Sequence, residues 1–145
     1  MQQALFLTKG GKGMQTPEHY ETDLLFYFGE KEEEYRLYRR FAERLAKTVP
    51  PEVTVKVQKS QISFYGKHLF AAASLPVRRK KDWPEHCLLV TFGLPARLED
   101  PRIAVAVEPY PNRWTHHVVV SREEQLDEDL FAWIGAAYAF SQPKQ

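Results

Sequence analysis

Two adjacent histidines are the residues whose type most directly suggests chemistry in this sequence. His116 and His117 could each bind a metal ion or transfer a proton, and Glu108 could act with either of them as an acid–base pair. In a β-strand, however, successive side chains point to opposite faces, so the two imidazoles cannot bind one ion together. The remaining histidines and the single cysteine match no metal-ligand spacing such as HExxH or CxxC. We therefore expect no metal site and no cofactor, one histidine in a core or interface, and the other free to contact a ligand.

The segment before these histidines, residues 108–114, predicts a stiff connection between two strands. Prolines fix φ there, and the neighbouring side chains include Glu108, Tyr110, Arg113 and Trp114. One interpretation is a recognition edge that binds a ligand. The other is an ordinary turn in which Arg113 pairs with Glu108 and Trp114 packs against a helix. Both interpretations remain open at this point, and the sequence assigns no catalytic residue.

Polar side chains near the early strands form a second group of ligand-binding candidates, namely Lys59, Gln61 and Tyr65. A basic and aromatic sheet face can bind single-stranded nucleic acid by stacking and phosphate contact. This sequence has the bases but shows no clear row of outward aromatic residues. A third observation is the small size of Ala72, Ala104 and Ala106, which predicts a sheet face that either admits a ligand or seats a helix closely.

The charge of the chain is unevenly distributed. Twenty Lys and Arg against 19 Asp and Glu give a net charge of +1. Residues 53–84 nevertheless carry +6, since seven bases face one acid, whereas residues 18–52 and 121–145 each carry −3. Four of these bases form a basic run in a predicted loop: Arg78, Arg79, Lys80 and Lys81. Such a run is either solvated surface or a contact for an anionic ligand, a nucleic acid or an acidic protein.

Apolar periodicity predicts two helices at the start of the chain. Thr16 and Pro17 have the pattern of a helix cap followed by proline, which predicts a helix from there to Phe28, ended by Gly29. A second helix ends at Pro50-Pro51. Its apolar face has spacings of three and four residues and comprises Tyr35, Tyr38, Phe41, Ala42, Leu45 and Val49.

Residues 53–120 change from a period of 3.6 to a period of two, which predicts about five or six short strands. Their connections are too short for crossover helices, so we expect an antiparallel sheet. Ser121 and Glu124 have the spacing of a capping box and predict the start of the last helix. The buried stripe of that helix is predicted to comprise Leu126, Leu130, Trp133, Ile134, Ala137 and Tyr138.

These elements predict an α+β fold with N-terminal and C-terminal helices on one antiparallel sheet. We expect a flexible glycine-containing lead-in over residues 1–15 and a single domain over residues 16–145. A chain of 145 residues can bury a sizeable core without help, and its one cysteine excludes an internal disulfide. Its apolar runs are shorter than the roughly 20 residues that a membrane span needs. We therefore expect a cytoplasmic protein without a membrane partner.

From roughly Val53 to Ser141 the sequence resembles a bacterial family called domain of unknown function 5655. The resemblance is carried by Lys59–Phe64, by Pro111–Val119, and by Leu126-Asp127 with Trp133 and Ala137-Tyr138. It implies a small α+β domain, found alone or attached to other domains, and carries no established activity. The function that we expect is a non-enzymatic ligand- or macromolecule-binding module, monomeric or homodimeric. The alternatives are a small enzyme that uses Glu108 with His116 or His117, and a basic domain associated with nucleic acid.

Overall fold

The structure is a computed structural model that describes residues 13–143. The predicted lead-in lies outside the described residues up to residue 12. Gln15 is tied to the chain that follows, because its N–H donates to the Val53 carbonyl (2.7 Å) and its carbonyl accepts from the Val55 N–H (2.8 Å). The pairing of Gln15 with Thr54 is parallel and covers part of one edge of the sheet.

The described elements are three α-helices and six β-strands in a single α+β domain, as predicted. The helices are α1 (Tyr20–Phe28), α2 (Glu32–Thr48) and α3 (Glu128–Ser141). The strands are β1 (Thr54–Val57), β2 (Ile62–Tyr65), β3 (Leu69–Ser74), β4 (Leu88–Leu94), β5 (Ile103–Tyr110) and β6 (Arg113–Val120). Among the described helices, none combines the length and the apolar composition that crossing a membrane requires.

The six strands form one sheet in the order β1-β2-β3-β4-β6-β5, with every neighbouring pair antiparallel. The register places Ala72 beside Thr91 and Thr91 beside His117. In the next row, Phe92 lies beside His116. Because side chains alternate along a strand, these two rows belong to opposite faces of the sheet.

The three helices form a layer on the face that carries Phe92. Phe41 of α2 contacts Phe64 of β2, with ring centroids 5.8 Å apart, and it stacks on Phe131 of α3 at 5.6 Å. The ring centroids of Phe92 in β4 and Trp133 in α3 lie 6.1 Å apart. Helix α1 joins the layer through its core residues, which pack with those of α2. The hydrophobic core therefore lies between the helices and this covered face.

Both terminal helices begin later than the sequence predicted. Helix α1 begins at Tyr20, whose N–H donates to the Pro17 carbonyl (3.2 Å), so Thr16 and Pro17 form a turn ahead of the helix. Its end at Gly29 agrees with the prediction, since Gly29 has a φ of 57°. That conformation is easy for glycine and unfavourable for a residue with a Cβ.

Helix α3 begins at Glu128, and the predicted capping box at Ser121 is wrong. The Gln125 side chain accepts hydrogen bonds from the N–H groups of Ser121 (2.7 Å) and Arg122 (3.0 Å), which closes a short 3-10 turn. Asp127 is the helix cap, because its carboxylate accepts from the Leu130 N–H at 3.1 Å. The sequence therefore contains two possible helix caps, Ser121 and Asp127, and the helix begins after Asp127.

Candidate functional site

The face of the sheet opposite the helices, which we call the open face, carries a cavity between small side chains. Its volume is about 260 Å3. Four residues of β3, β4 and β6 belong to its floor by register, namely Ala72, Thr91, Gly93 and Thr115. Gln61 and Leu69 line one side, while Tyr110 and Arg113 line the other. Large side chains on these floor positions would fill this space, as they do on the covered face.

The β5–β6 hairpin brings Tyr110 and Arg113 to the wall of the cavity. These two residues are paired across a tight turn in which Asn112 has a φ of 63°. The Glu108 carboxylate accepts a hydrogen bond from the Asn112 N–H at 3.0 Å. Glu108 therefore stabilises the turn, and the Arg113–Glu108 ion pair of the turn interpretation is not formed.

Arg113 is a cation in a mostly apolar wall. Its guanidinium carbon lies 5.7 Å from the centroid of the Phe140 ring, at the end of α3. Among residues 13–143, no carboxylate lies within salt-bridge distance of Arg113. A cation–π contact of this kind uses none of the guanidinium N–H groups as hydrogen-bond donors to a carboxylate, so they stay available for an anion.

His116 is a core residue and is fully buried on the covered face. Its ring stacks on Phe92 with centroids 5.3 Å apart, and its Nε2 accepts from the Leu98 N–H at 2.9 Å. Burial lowers the pKa of His116, because desolvation disfavours the charged imidazolium. His116 therefore holds the loop before β5 against the sheet as a neutral side chain.

His117 lies on the open face and is only half-buried. Its Nδ1 is hydrogen-bonded to the Thr91 hydroxyl at 2.9 Å, and burial also lowers its pKa. Since Thr91 lines the cavity, His117 positions one of the floor side chains without lining the cavity itself. The expectation of one core histidine agrees with His116, whereas His117, expected to be free to contact a ligand, is bonded to Thr91 and does not line the cavity. Glu108 contacts the hairpin turn instead, so the structure gives no support to an acid–base pair with either histidine.

The candidates near the early strands are only partly brought together. Gln61 lines the cavity, and its Nε2 donates to the Ser63 hydroxyl at 2.8 Å. Tyr65 is paired with Leu69 at the edge of the cavity, and the Lys56 ammonium lies 4.8 Å from its ring centroid. Lys59 is exposed on the turn between β1 and β2. Of the predicted ligand-binding residues, the cavity unites Gln61, Tyr110, Arg113 and Trp114.

The basic run lies at the other end of the strands. It follows the end of β3, whereas the cavity adjoins the beginning of β3 and the end of β4. Arg79 donates to the Trp83 carbonyl at 2.8 Å, and the Lys80 ammonium lies 5.9 Å from the Trp83 ring centroid. All four basic side chains are exposed. They form a separate surface and do not form the rim of the open-face cavity.

Several residues that line the cavity were not predicted from the sequence as ligand-binding residues. Gly93 carried a usable signal, because a glycine inside a strand often marks a place where space is needed. Thr91 and Thr115 gave no such signal, since threonine is common in strands. Phe140 could not have been assigned, because its position depends on where the end of α3 packs.

Outside the open-face cavity, we searched the described residues for free charged groups, reactive thiols and metal ligands. A hollow of about 370 Å3 lies along α1 and α2, but its Arg39 already pairs with Glu21 at 2.7 Å. Burial, together with the charge of Glu34, raises the pKa of the Cys87 thiol and keeps it protonated. Among residues 13–143, no three His, Cys, Asp or Glu side chains stand close enough to hold a metal ion.

Comparison with known proteins adds a family but no activity. A family model described as "Domain of unknown function (DUF5655)" matches residues 27–141, from the end of α1 to the last residue of α3. The match therefore extends further towards the N-terminus than the resemblance seen in the sequence. No curated protein matches the chain, and no solved structure does.

Proposed function

The chain belongs to the DUF5655 family, and because that description assigns no activity, we propose a function from the geometry alone. The domain is a non-enzymatic binding module that takes a small organic anion into the open-face cavity. The observation that carries this proposal is the Arg113 guanidinium at the wall of an otherwise mostly apolar cavity, with no carboxylate of residues 13–143 within salt-bridge distance of it. The alternative of a catalytic Glu108–histidine pair has no comparable support.

The anionic group is assigned to Arg113. The cation–π contact with Phe140 favours a position of the guanidinium at the cavity wall, so less side-chain freedom is lost when a carboxylate binds. A carboxylate can accept two parallel N–H bonds from one guanidinium, which is the strongest arrangement available to this side chain. Hydrogen bonds to charged groups contribute about 1.5–3 kcal/mol, so loss of Arg113 should weaken binding roughly tenfold or more.

The body of the ligand is assigned to the floor of the cavity. Ala72 and Gly93 leave room there, and Leu69 and Tyr110 provide apolar walls. The Thr91 and Thr115 hydroxyls lie on the same floor and can orient a polar substituent. Pockets for drug-sized ligands usually measure about 300–1,000 Å3, so a cavity of about 260 Å3 fits a smaller molecule.

A calorimetric titration with 3-phenylpropanoate and its uncharged amide tests this proposal. We expect the acid to bind more tightly than the amide, and Arg113→Ala to remove that preference. Arg113→Lys should retain part of it, because the charge remains while the two parallel bonds are lost. Arg78→Ala is the matched control, since it removes a cation at the far end of the strands. Equal binding of acid and amide, or no binding of either, would contradict the proposal.

Filling the cavity provides a second test that leaves Arg113 in place. A Cβ at Gly93 would meet only the Trp114 carbonyl at 3.8 Å, so the strand accepts a side chain there. We expect Gly93→Leu to abolish binding of 3-phenylpropanoate and Gly93→Ala to weaken it less. Thermal unfolding of both variants checks that the fold is retained. Unchanged binding to folded Gly93→Leu would place the ligand elsewhere.

The exposed basic run supports a second candidate function, the binding of nucleic acid. Among the described residues, none of its four cations is within salt-bridge distance of a carboxylate. Lysine and arginine in such a surface contact phosphates without reading the base sequence. This function would use a different surface from the cavity, so the two proposals are tested independently.

A further inference from the structure

A second cavity adjoins the open-face cavity at the end of α3. Its volume is about 210 Å3. Five residues line both cavities: Leu69, Phe70, Gly93, Arg113 and Phe140. The stacked Arg113 and Phe140 side chains belong to this shared set, so one cation serves two adjoining spaces.

The two cavities differ in chemistry. The open-face cavity has small and apolar residues on its floor and walls, together with the hydroxyls of Thr91 and Thr115. The second cavity contains His68 and Ser141 beside its apolar residues. The Ser141 hydroxyl donates to the Tyr138 carbonyl at 2.7 Å, which leaves the hydroxyl oxygen able to accept a hydrogen bond. The second cavity therefore suits a short polar group, and the first suits a larger apolar one.

The second cavity has a defined shape because the end of α3 is fixed to the β2–β3 turn. The Gln142 side chain accepts a hydrogen bond from the Lys67 N–H at 3.1 Å. Gly66 makes this approach possible, since a Cβ there would overlap the side chains of Gln142 and Tyr138. A site held by such contacts requires little ordering when a ligand binds.

We propose that the ligand is a carboxylic acid with two unlike substituents on the carbon next to its carboxyl group. The carboxylate binds Arg113, the larger apolar substituent enters the open-face cavity, and the shorter polar one enters the second cavity towards His68 and Ser141. This inference rests on the proposed function and names its ligand class. N-acylated amino acids have this chemistry.

Selectivity between mirror-image ligands follows from this arrangement. A carbon that carries a carboxylate, a hydrogen and two unlike substituents is chiral, and only one enantiomer places both substituents in their matching cavities while its carboxylate meets Arg113. The other enantiomer must leave one substituent in solvent or leave polar groups without partners, which is unfavourable. Loss of this preference when only the second cavity is altered therefore distinguishes this arrangement from binding in the open-face cavity alone.

Calorimetric titration of the unaltered protein tests the inference with three probes. They are 3-phenylpropanoate, N-acetyl-L-phenylalanine and N-acetyl-D-phenylalanine. We expect one enantiomer to bind about tenfold more tightly than the other and more tightly than 3-phenylpropanoate. Equal binding of the two enantiomers, with Arg113-dependent binding of 3-phenylpropanoate, would overturn this inference and leave the proposed function standing. Failure of all three probes to bind would overturn both.

Variants in the second cavity test whether the preference between enantiomers arises there. We expect His68→Ala and Ser141→Ala to reduce the preference between enantiomers severalfold while leaving the affinity for 3-phenylpropanoate unchanged. His19→Ala is the matched control, because it removes an exposed histidine outside both cavities. A preference that survives both second-cavity variants would place the polar substituent elsewhere and contradict the inference.

Discussion

The covered and open faces of the sheet come from the same strands but carry different side chains. On the covered face, neighbouring strands bring together Phe92 and His116, whose rings stack and are buried. One residue away on each strand, the open face brings together Thr91 and His117, which form a single hydrogen bond. The covered face fills its volume with rings, whereas the open face leaves a cavity beside its smaller side chains.

This difference separates the residues that hold the fold from those that are available for binding. Close packing is worth most where every contact is with protein, and a cavity there is costly. On the open face, the cavity opens to solvent, so small side chains there cost little stability. The two adjacent histidines differ in the same way. His116 packs in the core of the covered face, whereas His117 lies beside the cavity floor on the open face.

The largest expected effect is a loss of stability on the covered face. Phe92→Ala removes a ring that contacts His116 and Trp133 and should lower the free energy of unfolding by about 3–5 kcal/mol. Thr91→Ala, the neighbouring change on the open face, should lower it by about 1 kcal/mol or less, since one hydrogen bond is lost. Urea unfolding measures both values. Similar losses for the two variants would contradict the contrast between the faces.

The pH dependence of stability is the next expected effect. Burial lowers the pKa of His116 in the folded chain, so the unfolded chain takes up a proton at a higher pH than the folded chain does. This contribution to stability is complete above the unfolded pKa of about 6.5 and is lost as the pH falls towards the lowered pKa. Urea unfolding between about pH 7.5 and about pH 5 should therefore show a decline.

Two histidine variants test whether His116 and His117 cause this loss of stability at low pH. His116→Gln removes the titrating ring from the covered face, and His117→Gln removes it from the open face. Because the pKa of each histidine is lowered, each variant should show a shallower decline than the unaltered chain. A decline that is unchanged in both variants would show that other groups produce it.

The alternation of residues around His116 and His117 predicted their division between faces without any structure. It could not predict which face the helices cover, because that depends on how α2 and α3 pack. The predicted start of α3 was wrong because Ser121 and Glu124 match a capping box, while the Gln125 side chain accepts the Ser121 N–H that Glu124 would have bound. The wall of the cavity at Phe140 depends on residues far apart in sequence, and periodicity has no information about such contacts.

The smallest expected effect concerns the basic run, which belongs to neither face. Replacement of Arg78, Arg79, Lys80 and Lys81 by Gln should change the free energy of unfolding by no more than about 0.5 kcal/mol per substitution, because all four side chains are exposed. Binding of 3-phenylpropanoate should be unchanged, since the run lies at the opposite end of the strands from Arg113. If the run binds nucleic acid, a mobility-shift titration with single-stranded DNA should show binding that falls steeply with salt and is lost in the variant. Absence of binding to the unaltered chain at low salt would exclude that function, and the cavity would remain the site that distinguishes the open face from the covered one.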